Sequence, residues 1–221
     1  MSVTVLTKNY TEPPICQKEI LRYAGCKSAD AETLALLDSV IDEAKTELCY
    51  RICYAELSVT VAGGLCDFGV MKAESFDLAK TLAKCERVIV FAATLGVGLD
   101  RLIAKYGRIS PARALLLQAF GTERIEALCD LFCEEYSSLH NVAFAPRFSA
   151  GYGDLPLSFQ RDIFSLLDCP KKIGLTLTDS LLMSPSKSVT AIVGICGGEP
   201  TEKTHKCSLC DKTDCEFRGE L

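Results

Sequence analysis

The chain has 221 residues, of which 48% are hydrophobic and 24% charged, so it can bury a full core and is neither disordered nor collagen-like. Its 24 basic and 29 acidic residues give a net charge of −5, which excludes the broad basic surface that nucleic-acid binding needs. The longest apolar run, residues 88–93, is too short to cross a bilayer. No signal-peptide pattern begins the sequence, so a cytoplasmic protein without a membrane partner is expected.

The cysteine content is the unusual feature of the composition. Thirteen cysteines accompany only two histidines, so a metal site built from several histidines is excluded. In the reducing cytoplasm, clustered thiols more often bind metals or take part in redox chemistry than form structural disulfides.

The N-terminal half predicts short strands and helices in alternation. In chain order, these are a strand at 3–6, a helix at 17–24, a helix from 30 to about 50, a hairpin over 52–70, a helix at 75–83 and a buried strand at 87–95. Asp30 and Ser75 are the predicted N-caps, since short polar side chains accept hydrogen bonds from free helix amides. Gly63-Gly64 is the predicted turn of the hairpin.

The C-terminal half predicts one long helix among shorter elements. In chain order, these are a helix from 98 to about 105, a helix over 110–138, a loop over 146–155, a helix over 157–167 that ends near Pro170, and a strand at 188–195. Ser110-Pro111 is a strong helix start. The buried stripe of the long helix is predicted to consist of Leu115, Leu116, Phe120, Ile125, Leu128 and Phe132.

Two patterns suggest a ligand site but favour a structural interpretation. Gly96-Val97-Gly98 follows a strand and precedes a helix, but Arg101 replaces the third glycine of a dinucleotide fingerprint, so a tight turn is favoured. The pairs Cys49/Cys53 and Cys129/Cys133 have helical i,i+4 spacing, for which core packing is favoured over metal binding.

The C-terminal segment carries a clearer cysteine pattern. Cys207, Cys210 and Cys215 lie in a polar stretch whose composition cannot bury them, and Cys196 precedes them. Four thiolates match tetrahedral zinc or an iron–sulfur cluster, so residues 196–221 are predicted to bind one of these. A flexible or redox-active thiol tail is the alternative, and His205 is an alternative ligand.

The loop over 146–155 combines a fixed cation, flexible backbone and an aromatic ring. Arg147 could hold a carboxylate through paired hydrogen bonds, Gly151 permits close backbone approach, and Tyr152 could cover an aromatic base. From spacing alone, an ordinary connection and a ligand-binding loop are equally compatible with this pattern.

At this loop the sequence resembles the activation (reactivation) domain of cobalamin-dependent methionine synthase. That family has Arg, then Gly-Tyr four and five residues later, which is the spacing of Arg147, Gly151 and Tyr152. The likeness continues through Leu166–Ser180, Met183-Ser-Pro185 and Ser188-Val189.

The resemblance implies an S-adenosylmethionine site without a catalytic acid or base. Arg147 would pair with the ligand carboxylate, Glu126 with its ammonium or another polar group, and the backbone of Ala150, Gly151 and Tyr152 with the adenosine. The cobalamin would belong to a partner, either methionine synthase or a related corrinoid protein, and an electron donor would be required.

The expected fold is a single α+β domain over residues 1–195, with a mainly antiparallel sheet flanked by helices, followed by the cysteine-rich segment. The expected function is reactivation of a corrinoid protein in trans, as part of a methyltransferase system. An iron–sulfur protein that reduces a corrinoid and a zinc-stapled interaction module are the alternatives.

Overall fold

A computed structural model describes residues 3–26 and 28–196 of the chain. Within these ranges the strands are β1 (Leu6–Tyr10), β2 (Tyr50–Ser58), β3 (Thr60–Ala62), β4 (Leu65–Asp67), β5 (Lys72–Glu74), β6 (Cys85–Thr94), β7 (Ala143–Phe144), β8 (Thr176–Leu177), β9 (Met183–Ser184) and β10 (Ser188–Cys196). The α-helices are α1 (Gln17–Tyr23), α2 (Ala31–Ala44), α3 (Phe76–Leu82), α4 (Gly98–Ile109), α5 (Pro111–His140), α6 (Gln160–Leu167) and α7 (Cys169–Ile173).

The main sheet has five strands in the order β1-β2-β6-β10-β7, and each neighbouring pair is antiparallel. Its central strands β6 and β10 are almost wholly buried, because helices cover both faces. One face packs in the α5-side core, to which α1, α2, α4 and α5 contribute. The other packs in the α6-side core with α3, α6 and α7. The predicted α+β fold with a mainly antiparallel sheet is therefore confirmed.

The predicted caps and the predicted turn at Gly63-Gly64 are confirmed, but the hairpin is shorter than the predicted 52–70, because residues 52–58 belong to β2 of the main sheet and only β3 and β4 form it. Asp30 accepts a hydrogen bond from the Thr33 amide, and Ser75 accepts one from the Leu78 amide. β3 and β4 pair across Gly63-Gly64, where Gly63 has the positive φ that suits glycine.

Two element positions in this half differ from the prediction. The first strand occupies Leu6–Tyr10 rather than 3–6, because pairing with β2 rather than local β-propensity sets its register. α2 ends at Ala44, and the chain passes through a short 3-10 turn into β2. Cys53 therefore lies in a strand, and the prediction that it shares a helix face with Cys49 is wrong.

The long helix α5 is confirmed and is two residues longer than predicted at its C-terminal end. Most of its predicted stripe is buried, but Leu115 is exposed, because the helix turns its other side to the core at that position. Ser110 makes no side-chain cap, while Pro111 begins the helix as predicted. No helix in the described ranges is long and apolar enough to span a membrane.

Pro170 does not end the helical region as the sequence predicts. The predicted helix begins as a 3-10 turn at Leu157–Phe159 and continues as α6, and a left-handed Asp168 then redirects the chain. α7 follows with Pro170 in its first turn, where the missing amide costs no hydrogen bond.

The turn between β6 and α4 is tight, as the sequence favours. Gly96 has a φ of +78°, and a side chain there would collide with the Cys49 thiol. A side chain at Gly98 would collide with the Glu47 carbonyl. Close packing against the segment between α2 and β2 therefore explains both glycines, and no nucleotide is needed to account for them.

Candidate functional site

Two carboxylates on the exposed face of α5 form one wall of the candidate site. Glu126 and Asp130 are four residues apart, so they lie one above the other on the same helix face. The opposite face of α5 packs in the α5-side core through Phe120, Leu128 and Phe132. That burial fixes the rotation of the helix and hence the position of both acids.

Arg147 approaches this wall from the edge of the main sheet. The Ala145 amide donates to the Gly194 carbonyl at 2.9 Å, and Phe148 exchanges two backbone hydrogen bonds with Ile192. The backbone on both sides of Arg147 is therefore fixed against β10. Successive side chains of an extended segment point to opposite faces, so Phe148 enters the α6-side core while Arg147 points towards α5.

The Arg147 guanidinium donates to both carboxylates. Its Nη2 donates to Glu126 Oε2 at 2.7 Å and its Nη1 to Asp130 Oδ1 at 2.5 Å. The Arg147 side chain is 13% exposed, against 35% for Glu126 and 59% for Asp130. The arginine is therefore the sheltered member of the cluster, and Asp130 is the partner most open to replacement by solvent or a ligand.

The charge of Arg147 is held firmly. Burial alone would lower the pKa of Arg147, but the negative charges of the Asp130 and Glu126 carboxylates outweigh it and raise this pKa. The same burial raises the pKa of the Cys129 thiol, which stays neutral. The cluster of one cation and two carboxylates thus carries a net charge of −1.

The loop after Arg147 is a compact turn with an internal hydrogen-bond network. The Gly151 amide donates to the Leu155 carbonyl at 2.9 Å, and the Tyr152 amide donates to the Ser149 carbonyl at 3.1 Å. Gly151 has a φ of +87°, which a residue with a side chain rarely adopts. These two amides are used within the loop, so they are not available to a ligand.

Asp154 anchors the loop to the start of α3. Its carboxylate accepts hydrogen bonds from the Ser75 hydroxyl and from the amides of Phe76, at 2.7 Å, and Asp77, at 3.2 Å. The Ser75 hydroxyl and these amides favour the charged form and hold the pKa of Asp154 below its ordinary value. The loop is therefore positioned from both of its ends.

An aromatic ring projects from the loop into solvent. The Tyr152 side chain is 68% exposed, and its ring meets Phe148 edge to face at 5.4 Å between centroids. Ala150, by contrast, is buried in the α6-side core, so only its backbone is available. Tyr152 presents a ring face on which a planar base could stack.

The outer edge of β10 next to this loop is open. Among the described residues, β7 and the bridge at Ile192 are the only partners of that edge, and neither reaches Thr190. Since Ile192 exchanges its backbone bonds with Phe148, the amide and carbonyl of Thr190 point to the same side. The buried Thr190 hydroxyl also has no hydrogen-bond partner in this part of the chain.

Sequence reasoning found the core of this site and missed part of it. The structure brings Glu126 and Arg147 together and places Ala150, Gly151 and Tyr152 in the adjoining turn; their roles towards a ligand stay predictions. Asp130 was missed, although its i+4 spacing from Glu126 is a visible signal. Thr190 left no sequence signal, because a threonine in a buried strand is ordinary.

Several cysteines of the described residues are packed in the two cores, and two pairs of thiols lie close together. Cys129 lies in the α5-side core, while Cys53 and Cys169 interact with each other in the α6-side core. Cys85 and Cys196 place their Sγ atoms 2.8 Å apart. No group of three or more metal-ligating side chains occurs within residues 3–26 and 28–196.

The predicted metal ligands Cys207, Cys210 and Cys215 lie outside the described residues, as does the alternative ligand His205. Of the predicted set, the structure therefore places only Cys196, at the end of β10.

Two surface cavities lie away from Arg147. One of about 380 Å³ borders β3 and β4, and one of about 630 Å³ lies between β1, β2 and the end of α5. Neither includes a residue of the Arg147 loop or the carboxylates of α5. The candidate site therefore coincides with neither cavity and lies along the strand edge beside α5, a region called the groove below.

Comparison with solved structures identifies a relative of the same fold. A solved crystal structure of the MetH reactivation domain bound to AdoHcy matches with a TM-score of 0.65 and 15% sequence identity, covering 92% of this chain and 81% of that one. At that identity the likeness shows a shared fold. No curated protein matches the chain.

The family comparison is more specific than the structural one. The family model of the vitamin B12 dependent methionine synthase activation domain matches residues 76–216, which include α5, the Arg147 loop and β10. Because that match spans well over half of the sequence, the chain belongs to the family of vitamin B12 dependent methionine synthase activation domains.

Proposed function

We propose that the chain binds S-adenosylmethionine along the open edge of β10 and presents its methyl group to a corrinoid carried by a separate protein. The observation that carries this proposal is the sheltered guanidinium of Arg147, held at the strand edge between Glu126 and Asp130. Membership of the activation-domain family and the AdoHcy-bound relative support the choice of ligand.

The charges of the cluster suit the amino-acid end of the ligand. S-adenosylmethionine carries a carboxylate, an ammonium and a sulfonium, so its net charge of +1 complements the −1 of the cluster. A guanidinium has five donors, and its bonds to Glu126 and Asp130 leave donors for the ligand carboxylate. Glu126 and Asp130 would then attract the ammonium.

The adenosine end has matching groups on the other side of Arg147. Tyr152 offers an exposed ring for stacking, and the carbonyls of the loop can accept hydrogen bonds from the adenine amino group. Thr190 adds an outward-pointing amide and carbonyl, together with a buried hydroxyl that lacks a partner among the described residues.

Methyl transfer requires this chain to orient S-adenosylmethionine rather than to supply a catalytic acid or base. Methyl transfer from a sulfonium to cobalt reduced by one electron releases S-adenosylhomocysteine and moves no proton. Arg147, Glu126 and the fixed loop would hold the donor so that its methyl group faces outward from the strand edge. This role agrees with a site whose charged groups are already ion-paired.

A corrinoid partner must dock over this edge for the reaction to occur. We propose methionine synthase or a related corrinoid protein as that partner, acting in trans with a separate electron donor. The Arg147 loop would face the cobalt, because methyl transfer requires donor and acceptor within roughly 3–3.5 Å.

The test combines ligand binding with methyl transfer. Calorimetric titration should detect S-adenosylmethionine, with S-adenosylhomocysteine as a competitor. In the second assay the chain is mixed with a corrinoid protein loaded with cob(II)alamin, a one-electron reductant and methyl-labelled S-adenosylmethionine. Methylcobalamin should form, as followed by its absorbance, and its label should show that the methyl group came from S-adenosylmethionine.

Two results would contradict the proposal. The first is no binding of S-adenosylmethionine at millimolar concentration, and the second is methylcobalamin formation at the same rate without the chain. Binding of S-adenosylmethionine without methyl transfer would refute the chosen corrinoid partner but would still support S-adenosylmethionine as the ligand.

A further inference from the structure

Two thiols from neighbouring strands face each other at one end of the main sheet. Cys85 is the first residue of β6, Cys196 is the last of β10, and their Sγ atoms are 2.8 Å apart. Both are free cysteines. The site proposed for S-adenosylmethionine uses neither residue, so their contact calls for an explanation of its own.

A break in the strand register sets up this contact. Ile195 pairs with Arg87, whereas Cys196 pairs with Cys85, so β6 contains one extra residue, Glu86, at this point. An extra residue of this kind re-aims the side chains next to it. The last residue pair between β6 and β10 is therefore a pair of cysteines.

The spacing of this residue pair suits a covalent bond between the two sulfurs. Paired residues of antiparallel strands have Cα atoms roughly 4.5–5.5 Å apart, and disulfides join residues whose Cα atoms are roughly 4.4–6.8 Å apart. The Sγ atoms would have to approach by less than about 1 Å to reach the bond length of a disulfide. Cys196 lies at a strand end and is partly exposed, so its side chain can supply that movement while the strands stay paired.

Glycine at position 194 leaves the space that the Cys85 sulfur occupies. A Cβ atom at Gly194 would lie 2.5 Å from Cys85 Sγ and 2.8 Å from Leu82 Cδ2. Gly194 and Cys196 share one face of β10, because alternate residues of a strand point the same way. The gap at Gly194 therefore admits the Cys85 thiol to the face on which Cys196 lies.

The two thiols differ in their access to solvent. Cys85 is 7% exposed and packs in the α6-side core, whereas Cys196 is partly exposed at the margin of that core. A reagent from solution can therefore reach Cys196 first, and any group that becomes attached there lies beside the Cys85 sulfur. This is the arrangement of an accessible reactive thiol with a resolving thiol next to it.

We propose that Cys85 and Cys196 form a reversible dithiol–disulfide site that exchanges with small disulfides of the glutathione class. In the first step, the Cys196 thiolate attacks one sulfur of the small disulfide, which forms a mixed disulfide and releases one small thiol. In the second step, Cys85 gives up its proton to solvent, its sulfur attacks Cys196 Sγ, and the second small thiol leaves. The two cysteines lose two electrons and two protons, and one small disulfide becomes two thiols.

The exposure of Cys196 also makes the reaction reversible. An excess of a small thiol can attack the Cys196 sulfur and restore both cysteines by the same steps in reverse. Cys196 is in addition one of the metal ligands that the sequence predicts. Because a thiolate is the form that binds a metal, Cys196 in the disulfide is no longer available as a ligand.

The test equilibrates the full chain with oxidised glutathione, blocks the remaining thiols with iodoacetamide and maps the peptides by mass spectrometry. We expect two peptides joined through Cys85 and Cys196, with a mass two hydrogens below that of the separate peptides, and dithiothreitol should separate them. Cys16→Ser is the control, because it changes an exposed thiol that precedes α1. This variant should form the same link.

Two variants test the separate roles of the thiols. Cys85→Ser should keep glutathione as a stable mixed disulfide on Cys196, because the resolving thiol is gone. Cys196→Ser should leave Cys85 without glutathione, because Cys85 is buried. Circular dichroism checks that each variant folds, and if Cys85→Ser does not fold, the wild type and Cys196→Ser decide the result. Absence of the Cys85–Cys196 link in the wild type would overturn the proposal, and so would glutathione on Cys85 of folded Cys196→Ser.

Discussion

Replacing Arg147 with alanine should weaken S-adenosylmethionine binding far more than it weakens the fold. In the free protein Arg147 is bonded to Glu126 and Asp130, and in the complex it would also hold the ligand carboxylate. The substitution removes the only cation of the cluster and leaves two carboxylates facing that carboxylate. Attraction is thereby replaced by repulsion.

The expected size follows from the exposure of each partner. Loss of a hydrogen bond to a charged group costs about 1.5–3 kcal/mol, which corresponds to a roughly 10- to 150-fold higher Kd. Glu126 and Asp130 are 35% and 59% exposed, so water can solvate both once Arg147 is gone. Their loss of pairing should therefore reduce the free energy of unfolding by only about 1 kcal/mol.

Calorimetry and urea unfolding measure these two quantities on the same protein. Arg113→Ala is the matched control, because Arg113 lies on α5 with 17% exposure and pairs with Glu43 at 3.0 Å, away from the groove. It should leave the Kd unchanged. Asp130→Asn should weaken binding less than Arg147→Ala does, because it removes one of the two carboxylates that would attract the ligand ammonium but keeps the guanidinium. A Kd for Arg147→Ala within threefold of the control would refute the reasoning.

Three further changes test the supports of the fold and the loop. Arg124→Ala should lower the free energy of unfolding in urea by about 3–5 kcal/mol, because it leaves the buried Glu123 carboxylate without its cation. A decrease under about 1 kcal/mol would contradict this. Gly153→Ala should cost about 1–2 kcal/mol, since its φ is +55°, whereas Gly107→Ala in α4 should be neutral or stabilising. The lowered pKa of Asp154 means that its stabilisation is present above its ordinary pKa of 3.8 and is lost as pH falls through the folded-state value. The unfolding free energies of wild type and Asp154→Asn should therefore converge as the pH falls below 3.8.

The sequence predicted those elements whose signals are local. Asp30 and Ser75 act as N-caps because capping depends on the cap residue and the next three amides. The first strand was misplaced because its position depends on pairing with β2, whose partner residues are 40 to 48 positions away in the sequence. The end of α2 was missed for a related reason, since the apolar pattern continues from the helix into β2 without a break.

Site residues that lie in one segment of the sequence could be predicted, whereas contacts between distant segments could not. Arg147, Gly151 and Tyr152 belong to one loop, so spacing alone joined them. The bond between Arg147 and Glu126 needed the fold, because it depends on how α5 lies beside β10. The contact of Cys85 with Cys196 depends on a one-residue register break, and no sequence pattern indicates such a break.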